Sequence, residues 1–300
     1  MKKLQIYNLE TAIDFFDDAV QRKNSGQYNR WPSTALNNQI RMLFDDYDAK
    51  LKSNTLEQLP TVMWQGVDTK NFEDLYSFRA AKFKKLYQFL TTTPQNVVDK
   101  VCPYCFLDSS GTLDHFVPKT PFPHFSANPQ NLIPCCPKCN SNKNDDWREN
   151  QGGKIVRLFL NAYIDDVMNQ NFLEVKFSYP GNNIVPSFLI SQNGMLQDLF
   201  DIVKSHFDKL DLATRYRERS NKVIVELGNS IKASRRKGLG DQMIKEINLD
   251  AIAENEKTFG LNHWETVLKK ACIILFKCFI YFFFYSIPNH YFYSYFYFIS

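Results

Sequence analysis

The sequence predicts an α+β protein that is mostly helical and has a zinc-binding segment between two helical regions. Apolar residues recur at helical spacing through much of residues 1–101 and 195–260. Apolar and polar residues alternate on both sides of the PGNN turn at 180–183, which is typical of a β-hairpin. Two C-x-x-C pairs lie close together near the middle of the chain, and this spacing is typical of a structural zinc site.

Residues 1–101 are predicted to form a helical N-terminal region of three helices that binds DNA or a protein partner. The first helix follows Asn8 as its N-cap, and the second begins near Pro32 with a cap at Ser33 or Thr34. The third covers residues 68–90. It carries a basic run that either meets a phosphate backbone or forms a solvated face: Arg79, Lys82, Lys84 and Lys85.

Residues 151–270 are predicted to form an α+β C-terminal region, with a small β-hairpin followed by helices. The net charge of the whole chain is only +4, so attraction to a polyanion has to come from local basic surfaces. Two clusters in this region are candidates for such a surface: Arg215, Arg217, Arg219 and Lys222, and then Lys232, Arg235, Arg236 and Lys237.

The tail, residues 271–300, differs from the rest of the chain because it holds 14 of the aromatic residues. An end translated after a frameshift or read-through is favoured over a membrane anchor, since the apolar run is short of a bilayer span and contains Lys277. A buried helix with an aromatic appendage is the third interpretation. The first 20 residues lack the apolar stretch of a secretory signal, so a cytoplasmic protein is expected.

Five of the seven cysteines lie in the central segment, residues 102–150. Cys102, Cys105, Cys136 and Cys139 form the two pairs, and together they offer the four thiolates that a structural Zn²⁺ prefers. Cys135 is an alternative ligand, although only Cys136 keeps the two-residue spacing to Cys139. Because the pairs are farther apart than in a plain zinc ribbon, the loop between them is where chemistry is expected.

That loop contains the sequence LDHFVPK, with Asp114 and His115 side by side, then Asn131, and the second pair opens CNSNK with Asn140 and Lys143. The order and spacing over about 45 residues resemble the HNH endonuclease family. The resemblance implies a ββα-metal finger at residues 102–150 that hydrolyses phosphodiester bonds. The family often carries His where Asn140 stands, and either side chain supplies a ligand atom.

The residue types suit this chemistry. A neutral His115 can take a proton from water near pH 7, and Asp114 with Asn140 offers oxygen ligands for a catalytic Mg²⁺ or Mn²⁺. Asn131 is expected to accept a hydrogen bond from the His115 ring and to fix its tautomer. Lys143 is expected to contact phosphate, and Lys119 is a second candidate for that contact.

Local geometry adds two expectations. Adjacent residues of a regular strand point to opposite faces, so the strand has to end or distort at Asp114 and His115 if both are to serve one phosphate. Cys136, Asn140 and Lys143 are spaced to share one face of a helix, so zinc would position Asn140.

The expected function is DNA cleavage by a single-metal mechanism in phage defence or restriction, with RNA as an alternative substrate. A single finger cuts one strand, so a homodimer or two successive nicks would be needed for a double-strand break. Two alternatives stay open. One is a nuclease subunit controlled by a partner such as a defence-system ATPase, and the other is a zinc-ribbon protein that binds nucleic acid without cutting it.

Overall fold

The structure is a computed structural model that describes residues 3–24, 31–64, 66–180 and 183–276. Within these residues the chain forms nine α-helices and three two-stranded antiparallel sheets. The predicted fold class, mostly helical α+β with small hairpins, is confirmed.

The chain divides into two compact units. Unit 1 comprises Met1–Asp166 and Asp198–Leu210, and unit 2 comprises Val167–Gln197 and Asp211–Ser300. The boundary expected at residue 101 lies inside unit 1, so the N-terminal helices and the cysteine-rich segment belong to one compact unit. The chain passes from unit 1 to unit 2 and back before it enters unit 2 for the second time.

Where the structure describes the N-terminal part of unit 1, this part contains four helices and not three. They are α1 (Ala12–Asn24), α2 (Thr34–Lys52), α3 (Val67–Glu73) and α4 (Ala81–Leu90). The α1 cap is Thr11, whose hydroxyl accepts from the Asp14 amide at 3.1 Å, so the prediction of Asn8 as the cap is wrong. The predicted cap of α2 is confirmed, because the Ser33 hydroxyl accepts from the Leu36 amide.

The predicted third helix is interrupted between α3 and α4 by tertiary contacts of Tyr76. Its hydroxyl donates to the Leu113 carbonyl at 3.1 Å, and its ring packs edge-on against Phe83 at 5.0 Å. The apolar periodicity of this stretch predicts one continuous helix, because periodicity does not show that the Tyr76 side chain bonds to β1.

The central segment forms a ββα arrangement. Strand β1 (Thr112–His115) pairs antiparallel with β2 (Leu132–Cys135), and helix α5 (Pro137–Lys143) follows directly. His115 lies opposite Leu132 and is the last residue of β1, so the strand ends where the sequence requires it to end.

Two further elements complete unit 1. Strands β3 (Arg148–Gln151) and β4 (Lys154–Arg157) form a hairpin that the sequence did not predict. Its turn places Gly152 and Gly153 at positive φ, a conformation that glycine adopts without steric cost. Helix α6 (Gln197–Lys209) belongs to unit 1 from Asp198 onward.

The core of unit 1 is largely aromatic and links the N-terminal helices to the loop between β1 and β2. Phe16 of α1 packs on Phe44 of α2 at 5.3 Å, and Phe44 packs on Phe125 of the loop at 5.7 Å. All three rings are buried. Aromatic pairs in such tilted and edge-to-face arrangements stabilise beyond their buried area, so the helices support the loop.

The described residues of unit 2 form the predicted hairpin and three helices. The elements are β5 (Leu173–Ser178), β6 (Val185–Ile190), α7 (Leu212–Arg236), α8 (Asp241–Phe259) and α9 (Trp264–Ile274). Phe188 of β6 packs against Tyr216 of α7, which stacks on Trp264 of α9 at 5.6 Å.

The tail begins inside α9, and its residues from 277 onward lie outside the described residues. The predictions made for that stretch, a read-through end or a membrane anchor, therefore stay predictions. Among the residues that the structure describes, no helix combines the length and the apolar character needed to cross a bilayer.

Candidate metal centre and active site

The four predicted zinc ligands converge. The sulfur atoms of Cys102, Cys105, Cys136 and Cys139 all lie within 4.8 Å of one another, and all four residues are buried. The sulfurs of Cys105 and Cys136 are 3.9 Å apart. Tetrahedral Zn–S bonds of about 2.3 Å place sulfurs about 3.8 Å apart, so the cluster has the size of a zinc site.

Backbone geometry shapes both halves of this cluster. The Phe106 amide donates to the Cys102 carbonyl at 2.9 Å, and Phe106 adopts a positive φ of 57° that folds the knuckle. The Leu107 amide donates to the Cys105 sulfur at 3.4 Å, and the Cys139 amide donates to the Cys136 sulfur at 3.4 Å. N–H donors aimed at sulfur favour the thiolate form, which is the form that binds metal.

The thiols influence one another strongly. Hydrogen bonding from Cys102, followed by Cys105 and Cys139, holds the pKa of Cys136 far below its usual range. Hydrogen bonding to Cys102 is the largest cause that raises the pKa of Cys139. One thiolate therefore forms readily among these thiols, and the charge of a cation would favour the rest. This donor set fits Zn²⁺.

Cys135 lies beside the cluster but outside the group of four. Its thiol donates to the Cys136 carbonyl at 3.3 Å. The geometry therefore selects Cys136 over Cys135 as the ligand that pairs with Cys139.

Asp114 is buried at 5% exposure and is held from two sides. The Tyr104 hydroxyl donates to Asp114 Oδ2 at 2.9 Å, and the Lys143 ammonium lies 3.3 Å from the same oxygen. A carboxylate has about four lone-pair positions, so acceptor capacity remains for a cation. Asn140 lies half-buried on α5, one turn after Cys136, and offers the second oxygen donor. Carboxylate and amide oxygens are the hard ligands that Mg²⁺ and Mn²⁺ prefer, and the cation site expected at these two residues stays a prediction.

His115 is 8% exposed and its ring is fixed. Nε2 lies 2.9 Å from the Ser126 carbonyl, which can only accept, so Nε2 carries the proton and Nδ1 keeps a lone pair. Burial lowers the pKa of His115 to about 3, with the charges of Lys119 and Lys143 acting in the same direction. The ring is therefore neutral at physiological pH and can accept a proton, but a pKa so far below 7 makes it a weak base.

Asn131 does not play the part that the sequence predicts. Its carbonyl oxygen accepts from the Val117 amide at 2.7 Å and from the Tyr47 hydroxyl at 3.2 Å. Its amide donates to the carbonyls of Val117 and Phe125. The prediction that Asn131 orients the His115 ring is wrong, because Ser126 provides that acceptor and Asn131 instead holds the loop that carries it.

Lys143 also differs from its expected position. Its side chain is completely buried, and its ammonium donates to the His115 carbonyl at 2.9 Å in addition to its pairing with Asp114. The predicted contact of Lys143 is with a phosphate, whereas in the structure its ammonium clamps the end of β1. Helical spacing correctly predicted that Lys143 faces the site, but spacing does not show how deeply a side chain is buried.

Lys119 lies nearer the surface, on the side of the site formed by His115. Its ammonium lies 5.6 Å from the Tyr76 ring centroid, and that ring packs edge-on against His115 at 4.5 Å. Lys119 is only partly buried, so it stays a candidate for contact with a phosphate.

Three residues at the site were missed by sequence reasoning. Tyr104 lies between the first two cysteines, where its place in C-P-Y-C is the one local signal that could have drawn attention to it. Ser126 and His206 have no such signal. The Ser126 hydroxyl donates to the Phe72 carbonyl, and His206 Nε2 lies 2.9 Å from the Tyr104 carbonyl. Both contacts join residues that are far apart in sequence.

Known proteins that are similar to this chain give little further information about the site. The chain is similar to protein ea31 of Escherichia phage lambda, with 24% identity over 177 residues. The alignment covers 56% of this chain and 59% of the phage protein, so the chain spans less than two thirds of that relative's length. No protein-family model and no solved structure matches the chain.

Proposed function

We propose that this chain is a metal-dependent endonuclease of the HNH type that hydrolyses DNA phosphodiester bonds, with a role in phage defence or restriction. The observation that carries the proposal is a neutral His115 with an available Nδ1, adjacent to Asp114 at the end of β1. The strand pair is continued by a helix that carries two cysteines of the zinc site.

Each residue would have a distinct task. His115 Nδ1 accepts a proton from the attacking water while the Ser126 carbonyl holds Nε2–H and thus the ring orientation. Asp114 and Asn140 would hold Mg²⁺ or Mn²⁺, which neutralises the charge that develops on the phosphate. Lys119, whose ammonium lies near the Tyr76 ring, would contact the phosphate. Cys102 and Cys105 on one side and Cys136 and Cys139 on the other would hold zinc, which would tie the knuckle to the start of α5 and supply structural support only.

A second candidate function is favoured by the burial of the same residues. Asp114 and His115 are only 5% and 8% exposed, and Lys143 already neutralises Asp114. A zinc-stabilised module that binds nucleic acid without cutting it would have this closed arrangement.

Nicking of supercoiled plasmid DNA separates the two functions. We expect zinc-loaded protein to produce nicked circles with Mg²⁺ or Mn²⁺, and His115→Ala to reduce the rate by about 10²–10⁴-fold. His263→Ala, which changes a histidine in unit 2, is the control and should keep the wild-type rate. Plasmid binding without cleavage by the wild type would support the non-cutting module. Equal cleavage by wild type and His115→Ala would refute the role of His115. Single-stranded DNA and RNA in the same assay report the substrate class.

A further inference from the structure

Tyr104 connects the zinc site to the candidate catalytic site. It is one of the two residues between the ligands Cys102 and Cys105, and its side chain is buried at 2% exposure. Its hydroxyl donates to Asp114 Oδ2 at 2.9 Å. A side chain that leaves the metal knuckle therefore ends on the carboxylate that would bind the catalytic cation.

Two hydrogen bonds fix the backbone around Tyr104. The Phe106 amide closes the knuckle on the Cys102 carbonyl, and His206 of α6 pairs with the Tyr104 carbonyl through Nε2 at 2.9 Å. The rings of Tyr104 and His206 pack edge-on at 5.8 Å. The position of the hydroxyl thus follows the position of the knuckle, which the four sulfurs fix.

The second half of the zinc site reaches Asp114 by another route. Cys136 caps α5, and Lys143 at the end of this helix places its ammonium 3.3 Å from Asp114 Oδ2. Both halves of the cysteine cluster therefore direct a hydrogen-bond donor at one carboxylate, and the two donors define which way it faces.

We propose that Tyr104 is a positioning residue that transmits the geometry of the four-cysteine site to Asp114 and so sets the affinity of the catalytic site for a divalent cation. The inference rests on the proposed function for the identity of that site. A hydrogen bond from an outer residue to a ligating carboxylate typically accounts for 10–100-fold in metal affinity or activity, about the range expected here.

The test is Mn²⁺ binding by Tyr104→Phe, measured from the electron paramagnetic resonance signal of free Mn²⁺ with the cysteine site saturated with zinc. We expect binding to weaken by about 10–100-fold. The matched control is Tyr163→Phe, which removes an equally buried hydroxyl that donates to the Leu132 carbonyl at 2.6 Å and does not contact Asp114. This control should stay within about threefold of wild type.

A second readout separates positioning from damage to the zinc site. With Co²⁺ replacing zinc, the absorption spectrum of the cysteine site should be the same in wild type and in both variants. If Tyr104→Phe does not load metal, 3-fluorotyrosine at position 104 provides the test, because it keeps the ring and the hydroxyl and strengthens the donated hydrogen bond. A threefold or larger change in Mn²⁺ affinity is then expected, and an unchanged affinity overturns the proposal.

The outcomes distinguish this inference from the proposed function. Wild-type cleavage combined with equal Mn²⁺ affinity in wild type and Tyr104→Phe overturns the role of Tyr104 and leaves the nuclease proposal standing. Equal weakening by Tyr104→Phe and Tyr163→Phe also overturns it. Wild-type protein that neither binds Mn²⁺ nor cuts DNA overturns the nuclease proposal, and the inference falls with it.

Discussion

Replacing Lys143 by Met should destabilise unit 1 far more than the loss of an ordinary ion pair. The Lys143 side chain is completely buried and its partner Asp114 is 5% exposed, with 3.3 Å between ammonium and carboxylate. Removing one member of a buried pair leaves the other charge without compensation, which costs about 3–5 kcal/mol of unfolding free energy. The hydrogen bond to the His115 carbonyl is lost in the same step.

The control is Lys52→Met, which breaks the exposed pair of Lys52 with Asp48 on α2. Pairs of this kind contribute about 0.3–0.5 kcal/mol. A second comparison is the double variant Lys143→Met with Asp114→Asn. Because the double change removes both charges, its cost should be well below the sum of the two single changes.

Urea unfolding followed by tryptophan fluorescence at saturating zinc measures these differences, since Trp31, Trp64 and Trp147 all lie in unit 1. A loss below about 1 kcal/mol for Lys143→Met would refute the idea that its charge is needed to compensate Asp114. Additive costs in the double variant would show that the two residues do not act as a pair.

Three other perturbations test separate parts of the structure. Cys139→Ser should abolish zinc binding whereas Cys135→Ser retains it, as measured by metal analysis of the purified proteins; retention by both would contradict the ligand assignment. Burial lowers the pKa of His124 to about 3, and the unfolded chain takes up a proton near pH 6.5. Stability from this residue is therefore present above pH 6.5 and declines by about 1.4 kcal/mol per pH unit down to pH 3. The stability that wild type loses between pH 7 and 5.5 in urea unfolding should exceed the loss in His124→Phe, and equal losses would argue against a neutral buried ring. Asn131→Ala should cost about 2–3 kcal/mol in the same assay because it leaves buried backbone groups of Val117 unpaired; a change below about 0.5 kcal/mol would rule out this role.

Features with a local cause were predicted well from the sequence. The four-cysteine cluster, which is compatible with structural zinc, follows from C-x-x-C spacing, and the β5–β6 hairpin follows from alternation around its turn. Helix α2 begins after Ser33 because a serine hydroxyl there satisfies an amide of the first turn. In each case the residues that decide the structure are close in sequence.

The positions of the candidate catalytic residues were predicted less well because their partners are distant in sequence. Asn131 is held by Tyr47, 84 residues away, and the acceptor for His115 comes from Ser126, which is itself tied to Phe72. Local pattern identified these residues as important and assigned their chemistry. It could not report that Lys143 is buried, since that burial comes with tertiary contacts to Asp114 and His115, which lie 29 and 28 residues away in the sequence.

The double passage of the chain between the units affects the order in which unit 1 can be completed during synthesis. Helix α5 ends at Lys143, whereas His206, which holds the knuckle at Tyr104, follows only after the β5–β6 hairpin of unit 2. Domains tend to fold as they emerge from the ribosome. Here Val167–Gln197 of unit 2 are made after the cysteine-rich segment and before α6. Early zinc capture would therefore protect the thiols from oxidation during that interval.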